Sequence, residues 1–149
     1  MRVDAFVTIN WEGSFVHGEC AIAIVLKIPD EKPFIKIAGY KNLSYQKACA
    51  LSACHVVDLI NKPCDLTITV GDPYSYCMMT KSSYVGKAHR VQWEWFREKA
   101  DTLPSVTIKL NKNHYFRTAA IHRTEKGGYY MVDVEQEGKD GKDQGQQET

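Results

Sequence analysis

The chain has 149 residues, 44% of them hydrophobic and 25% charged, which is the balance of one globular domain and excludes a disordered or fibrous protein. A formal net charge of +1 excludes binding of polyanions through overall charge. The charge is nevertheless segregated: residues 81–126 carry ten basic and four acidic side chains, and residues 127–149 carry two basic and six acidic ones.

In chain order, Val3 to Asn10 alternates Val, Phe, Thr and Ile and reads as a strand, closed by the turn Trp11-Glu12-Gly13-Ser14. Glu19 to Ile28 is a second β-type run, broken by Pro29-Asp30-Glu31-Lys32-Pro33, and Phe34 to Tyr40 is a third. Short connections predict an antiparallel meander. Ser44 is placed to cap a helix over Tyr45 to Asn61, with Tyr45, Ala48, Cys49, Ser52, Ala53, Val56, Leu59 and Ile60 on one side and Lys47, Cys54 and Asp58 opposite. Asp65 to Val70 is a short strand, and Asp72-Pro73 opens a helix through Tyr76 and Met79. Lys81 to Lys87 is a loop, His89 to Asp101 a helix, Val106 to Leu110 a strand and Tyr115 to Thr124 a short helix. Gly127-Gly128 breaks the chain, Tyr129 to Val134 reads as a strand or docked extension, and the Glu, Gln, Gly, Lys and Asp that follow predict a partly disordered acidic tail.

Met1-Arg2-Val3-Asp4 enters apolar alternation at once, which predicts no secretory leader. No apolar run approaches the ~20 residues a membrane span needs. Cys20, Cys49, Cys54, Cys64 and Cys77 form no C-x-x-C pair, and their odd number suits neither zinc nor a disulfide framework. The expectation is reduced thiols in a cytoplasmic protein.

The order β-β-β-α-β-α-α-β-α resembles the ribonuclease H-like fold over residues 2–124. Ala5-Phe6-Val7-Thr8-Ile9-Asn10-Trp11 looks like its opening strand. Ile68-Thr69-Val70-Gly71-Asp72-Pro73-Tyr74 looks like its fourth strand, which ends in an Asp. Val106 to His114 is similar to its fifth strand and loop histidine. The resemblance implies an α/β domain over 1–126, with a five-stranded mixed sheet of three meander strands plus two parallel strands, flanked by helices, and a C-terminal tail over 127–149.

Members of that family cut the RNA strand of an RNA–DNA hybrid with four carboxylates around two divalent cations, Mg or Mn. Clustered acids are needed to neutralise two ions that clamp both reacting oxygens. The matching positions here depart from that pattern. Thr8 or Asn10 stands for the first Asp, and Lys47 lies near the helix Glu. Ala119 or Ala120 stands for the last Asp, and no acid occurs in 32–57 or 102–124. Only Asp72 is in place, with His114 as a second remnant of the catalytic set. No cofactor is therefore expected. Glu12, Glu19 and Glu125 are the acids available for a rearranged site.

The basic block supplies the other candidate set: Lys81, Lys87, Arg90, Lys109, Lys112, Arg117 and Arg123, interleaved with Tyr84, Trp93, Trp95 and Tyr115. Cations with aromatics suit a phosphate backbone and unstacked bases. In the resembled family the region between the helices is a basic handle that grips hybrid. The first expectation is thus a catalytically impaired ribonuclease H-like protein that binds nucleic acid (hybrid, RNA or DNA) or a protein that processes it. The rivals are an active metal-dependent endonuclease with displaced ligands, and a protein-interaction module using Trp11, Trp95 and Tyr130.

Overall fold

The two-residue period of the first three apolar runs builds a sheet with two unlike faces. The computed structural model describes residues 1–80 and 88–135. Its strands are β1 (Arg2–Gly13), β2 (Gly18–Lys27), β3 (Phe34–Leu43), β4 (Asp65–Val70), β5 (Ser105–Leu110) and β6 (Met131–Asp133), and its helices α1 (Tyr45–Asp58), α2 (Pro73–Thr80), α3 (Arg90–Asp101) and α4 (Arg117–Glu125). The sheet order is β5-β4-β1-β2-β3-β6. β1, β2 and β3 form the antiparallel meander, while β4 runs parallel to β1 and β5 parallel to β4.

Odd-numbered β1 residues (Val3, Ala5, Val7) join Ile22, Ile24, Leu66, Ile68 and Val70 in the main core beneath α1 and α3. On the other face Ala120 of α4 packs against Ala23 and Val25, with Phe6 and Phe116 beside them. α1 is covered on two sides, which explains its small residues: Ala48, Cys49, Ala50 and Ala53 are fully buried. The side carrying Lys47, Cys54 and Asp58, which the periodicity sets opposite the core, lies under α3. There the Cys54 thiol donates to Gln92 O at 3.2 Å, and the Trp95 indole donates to Asp58 at 2.7 Å. The helix ends at Asp58 with Leu59 as its C-cap, three residues before Asn61.

The sheet has six strands, not five. β6 pairs parallel with β3, placing Met131 opposite Gly39. A side chain at Gly39 would overlap Met131 and the Tyr129 ring, so the glycine is what admits the sixth strand. Asn42 then donates to Asp133 at 2.9 Å. Sheet structure therefore reaches Asp133, beyond residue 126. The loop Lys81–Lys87 and the acidic stretch after Glu135 lie outside the described residues. Among those described, no helix is long and apolar enough to cross a membrane.

Candidate functional site

β1 and β4 run parallel at the centre of the sheet, and their carboxyl ends open where the chain leaves in different directions, the usual place for a site in an open α/β sheet. A cleft of about 560 Å³ lies there, lined by β1 from Val7 to Trp11, Tyr45 of α1, Gly71-Asp72-Pro73, Lys112, and Arg117 and Ile121 of α4. Asn111 N–H donates to Val70 O at 2.8 Å, which holds the loop carrying Lys112 against Gly71.

Asp72 caps α2. Its Oδ2 accepts the Ser75 N–H at 2.8 Å and the Cys49 thiol at 3.6 Å. Burial, then the Asp72 charge, pushes the Cys49 thiol up, so Cys49 is a neutral donor. Burial also raises the Tyr45 hydroxyl, with Cys49 and Asp72 adding to the effect. Tyr45 and Cys49 of α1, one turn apart and two residues on either side of Lys47, both meet Asp72. Lys47 is 7% exposed, and its ammonium holds the His89 imidazole down after burial has done so first.

Thr8 lies on the α4 side of β1, 9% exposed, and His114 is 5% exposed. His114 Nδ1 accepts the Phe116 N–H at 3.2 Å, which puts the ring proton on Nε2, where it is donated to Thr8 Oγ1 at 3.0 Å. Burial, then the Arg117 guanidinium, lowers the imidazole pKa from 6.5 and keeps it neutral. Both nitrogens are engaged, and Phe6 stacks at 5.3 Å. Asn10 donates to Thr124 Oγ1 at 3.0 Å, tying β1 to α4.

On α4 the cleft-facing residues are Arg117 and Ile121, one turn apart. Ala119 is exposed and Ala120 is packed on the sheet, so neither stands in the cleft wall. The spacing from His114 misses this because the approach to α4 sets the helix phase, which a residue count does not show. Glu12 and Glu19 are cross-strand partners and line a separate pocket of about 370 Å³ with Asn10 and Tyr129. Glu125 does not complete a set with them: among the described residues no three His, Cys, Asp or Glu side chains are grouped to hold a metal.

Two divalent cations need several carboxylate oxygens. Among the described residues that line the cleft, Asp72 is the one carboxylate, with one oxygen occupied as a helix cap, and Lys112 and Arg117 line the cleft with it. These residues do not fit a metal pair. Of the basic candidates, the structure brings Lys112 and Arg117 into the cleft. Lys109 and Arg123 are exposed elsewhere, and Arg90 pairs with Glu94 at 2.9 Å on its own helix. Lys81 and Lys87 lie outside the described residues. Trp95 and Tyr130 are 55% and 82% exposed, whereas Trp11 is half-buried in the cleft wall.

The strand order, the layers and the position of the cleft define a ribonuclease H-like fold. Solved structures agree. RNase H1 from the halophilic archaeon Halobacterium salinarum NRC-1 superposes with a TM-score of 0.66 at 13% identity, over 82% of this chain and 93% of that one. The N-terminal RNase H domain of a Mycobacterium tuberculosis protein, solved as a fusion with maltose-binding protein, gives 0.64 at 8% identity, over 80% and 94%. LC9-RNase H1, described as a type 1 RNase H with the type 2 active-site motif, gives 0.62 at 12% identity, over 87% and 74%. No family model matches the sequence, and no curated protein matches it.

Proposed function

We propose that this protein binds nucleic acid through the phosphate backbone at the β1–β4 cleft and does not cut it. The observation that carries the reading is the charge of the cleft: among the described residues that line it, Lys112 and Arg117 accompany a single carboxylate, Asp72. A strand can then be neutralised by side chains at a place where carboxylates would require cations. Arg presents a fork of N–H donors matched to phosphate oxygens, and Lys supplies a point charge. Arg117 rises from the first turn of α4, and Lys112 from the loop after β5, so two separate elements set the phosphate spacing. The fold supports the reading by its likeness to ribonucleases H, whose names describe nucleases of nucleic acid.

The test is a binding and cleavage assay on end-labelled RNA–DNA hybrid, DNA duplex, RNA and DNA single strands, at low salt, with Mg²⁺ or Mn²⁺ added. Retention without cleavage is expected, weakening as salt rises. Failure to retain any of the four overturns the binding. Metal-stimulated cleavage that disappears in Asp72→Asn overturns the loss of catalysis and restores a displaced-ligand nuclease.

A further inference from the structure

We infer that Phe15, Tyr45 and Trp11 form a stacking ledge for an unpaired base beside the two cations, so that the cleft takes a single strand in preference to a duplex. The inference rests on the phosphate-binding reading above and specifies its substrate. Phe15 lies in the turn between β1 and β2 and is 57% exposed, outside the core. It is nonetheless held in place. The Tyr45 N–H donates to Phe15 O at 2.9 Å, and the turn closes on itself through Ser14 N–H to His17 O at 3.0 Å. The Phe15 ring lies 5.9 Å from Tyr45 at an interplanar angle of 32°, and Tyr45 meets Trp11 edge-on at 5.3 Å. Tyr45 and Trp11 line the same cleft as Lys112 and Arg117.

An exposed aromatic ring on a fixed backbone loses little freedom when a flat partner lies on it. Every base has a π-face, so such a ledge accepts bases without reading their edges. In a duplex those faces are already covered by neighbouring pairs and become available only when a base is unstacked. The cleft volume of about 560 Å³ falls among single-ligand clefts of about 300–1,000 Å³, which suits one nucleotide unit entering from the side. Two cations in the cleft that Tyr45 and Trp11 also line favour a polyanion over an apolar protein partner.

The experiment measures fluorescence anisotropy of the full chain with three labelled probes: a short thymidine strand, the same strand made abasic throughout, and a duplex of that length. Phe15→Ala and the pair Lys112→Ala with Arg117→Ala are compared with the parent, after circular dichroism shows each to be folded. The intact strand is expected to bind about tenfold more tightly than the abasic one. Phe15→Ala removes that difference and leaves the abasic strand and the duplex unchanged, whereas the double variant weakens all three. Equal binding of intact and abasic strands, or an equal loss on every probe in Phe15→Ala, overturns the ledge and leaves the backbone reading standing. Binding of none of the probes overturns both. Self-association that Phe15→Ala abolishes, with no preference for the intact strand, assigns the surface to a second copy of the chain and overturns the ledge.

Discussion

Thr8 and His114 stand 106 positions apart and share a buried hydrogen bond of 3.0 Å that joins the central strand to the segment leading into α4. Because the Phe116 N–H occupies Nδ1, His114 has only Nε2–H to give, and Thr8 Oγ1 takes it. A hydroxyl is therefore needed at Thr8, which with Asn10 is one of the two positions the sequence resemblance sets against the first acid. Thr8→Val strands a buried donor and is expected to cost about 1–3 kcal/mol of stability, read from chemical denaturation. Thr8→Ser restores most of it. Equal stability of Thr8→Val and the parent refutes the role assigned to this bond.

Acid should weaken the fold through its buried imidazoles. His114 is held below 6.5 by burial and Arg117, His55 by burial and Lys36 despite Asp58, and His89 by burial and Lys47. In each case the unfolded chain binds the proton more readily than the folded one. Stability is then fully present above about 6.5 and is lost as pH falls through the folded pKa. Thermal melts from neutral pH downward are expected to show a falling Tm, and His114→Gln a shallower fall. A Tm that stays flat between neutral pH and the carboxylate range contradicts the assignment.

The order of elements was legible because the apolar period changes from two to 3.6 at Ser44 and punctuation by Pro29, Pro33, Pro73 and Gly127-Gly128 marks junctions. The sequence also shows directly that no acid occurs in 32–57 or 102–124, so no register places a carboxylate there. Which side chains fill those places was not. Tyr45 and Cys49 flank Lys47 by two residues on either side, and Arg117 and Ile121 lie on another face of α4 from Ala120. Helix phase relative to a sheet is set by packing, here Ala120 on Ala23 and Val25, and not by counting. The sixth strand was legible only as a strand or docked extension over Tyr129 to Val134, and its place in the sheet was not, since three residues carry too little pattern to show a pairing. The local sign was Gly39 inside a strand, which marks a close approach.

That close approach is testable by itself. Gly39→Val places a branched side chain where Met131 and Tyr129 now sit. Amides of Met131 to Asp133 are expected to lose hydrogen-exchange protection while β1 and β4 keep theirs, because the main core on the helix face does not involve β6. Protection unchanged at Met131 to Asp133 removes the reason given for the glycine.

The number of phosphate contacts in the cleft follows from salt dependence. Each phosphate neutralised on a single strand contributes about 0.7 to the slope of log K against log salt. Lys112→Ala with Arg117→Ala removes two, so the slope is expected to become shallower by about 1.4, with the loss spread evenly over sequences. Arg90→Ala serves as the comparison, since its guanidinium already pairs with Glu94. An equal change in both, or no change in the double variant, places the nucleic acid away from the cleft.

Asp72 separates a structural acid from a catalytic one. Its Oδ2 accepts the Ser75 N–H at 2.8 Å, with Pro73 at the first position of α2. An amide oxygen caps as well as a carboxylate oxygen, so Asp72→Asn is expected to leave stability almost unchanged. Asp72→Ala removes the acceptor and should cost about 0.5–2 kcal/mol. A catalytic carboxylate gives the reverse pattern, with asparagine and alanine equally inactive whatever their stability. Calorimetric Tm values, strand affinity and cleavage in Mg²⁺ therefore give three readings on each variant. The expected set is a lower Tm only for alanine and no metal-dependent cleavage in either variant or the parent. Affinity should be unchanged or slightly higher in Asp72→Asn, because one negative charge has left the cleft proposed to hold phosphate.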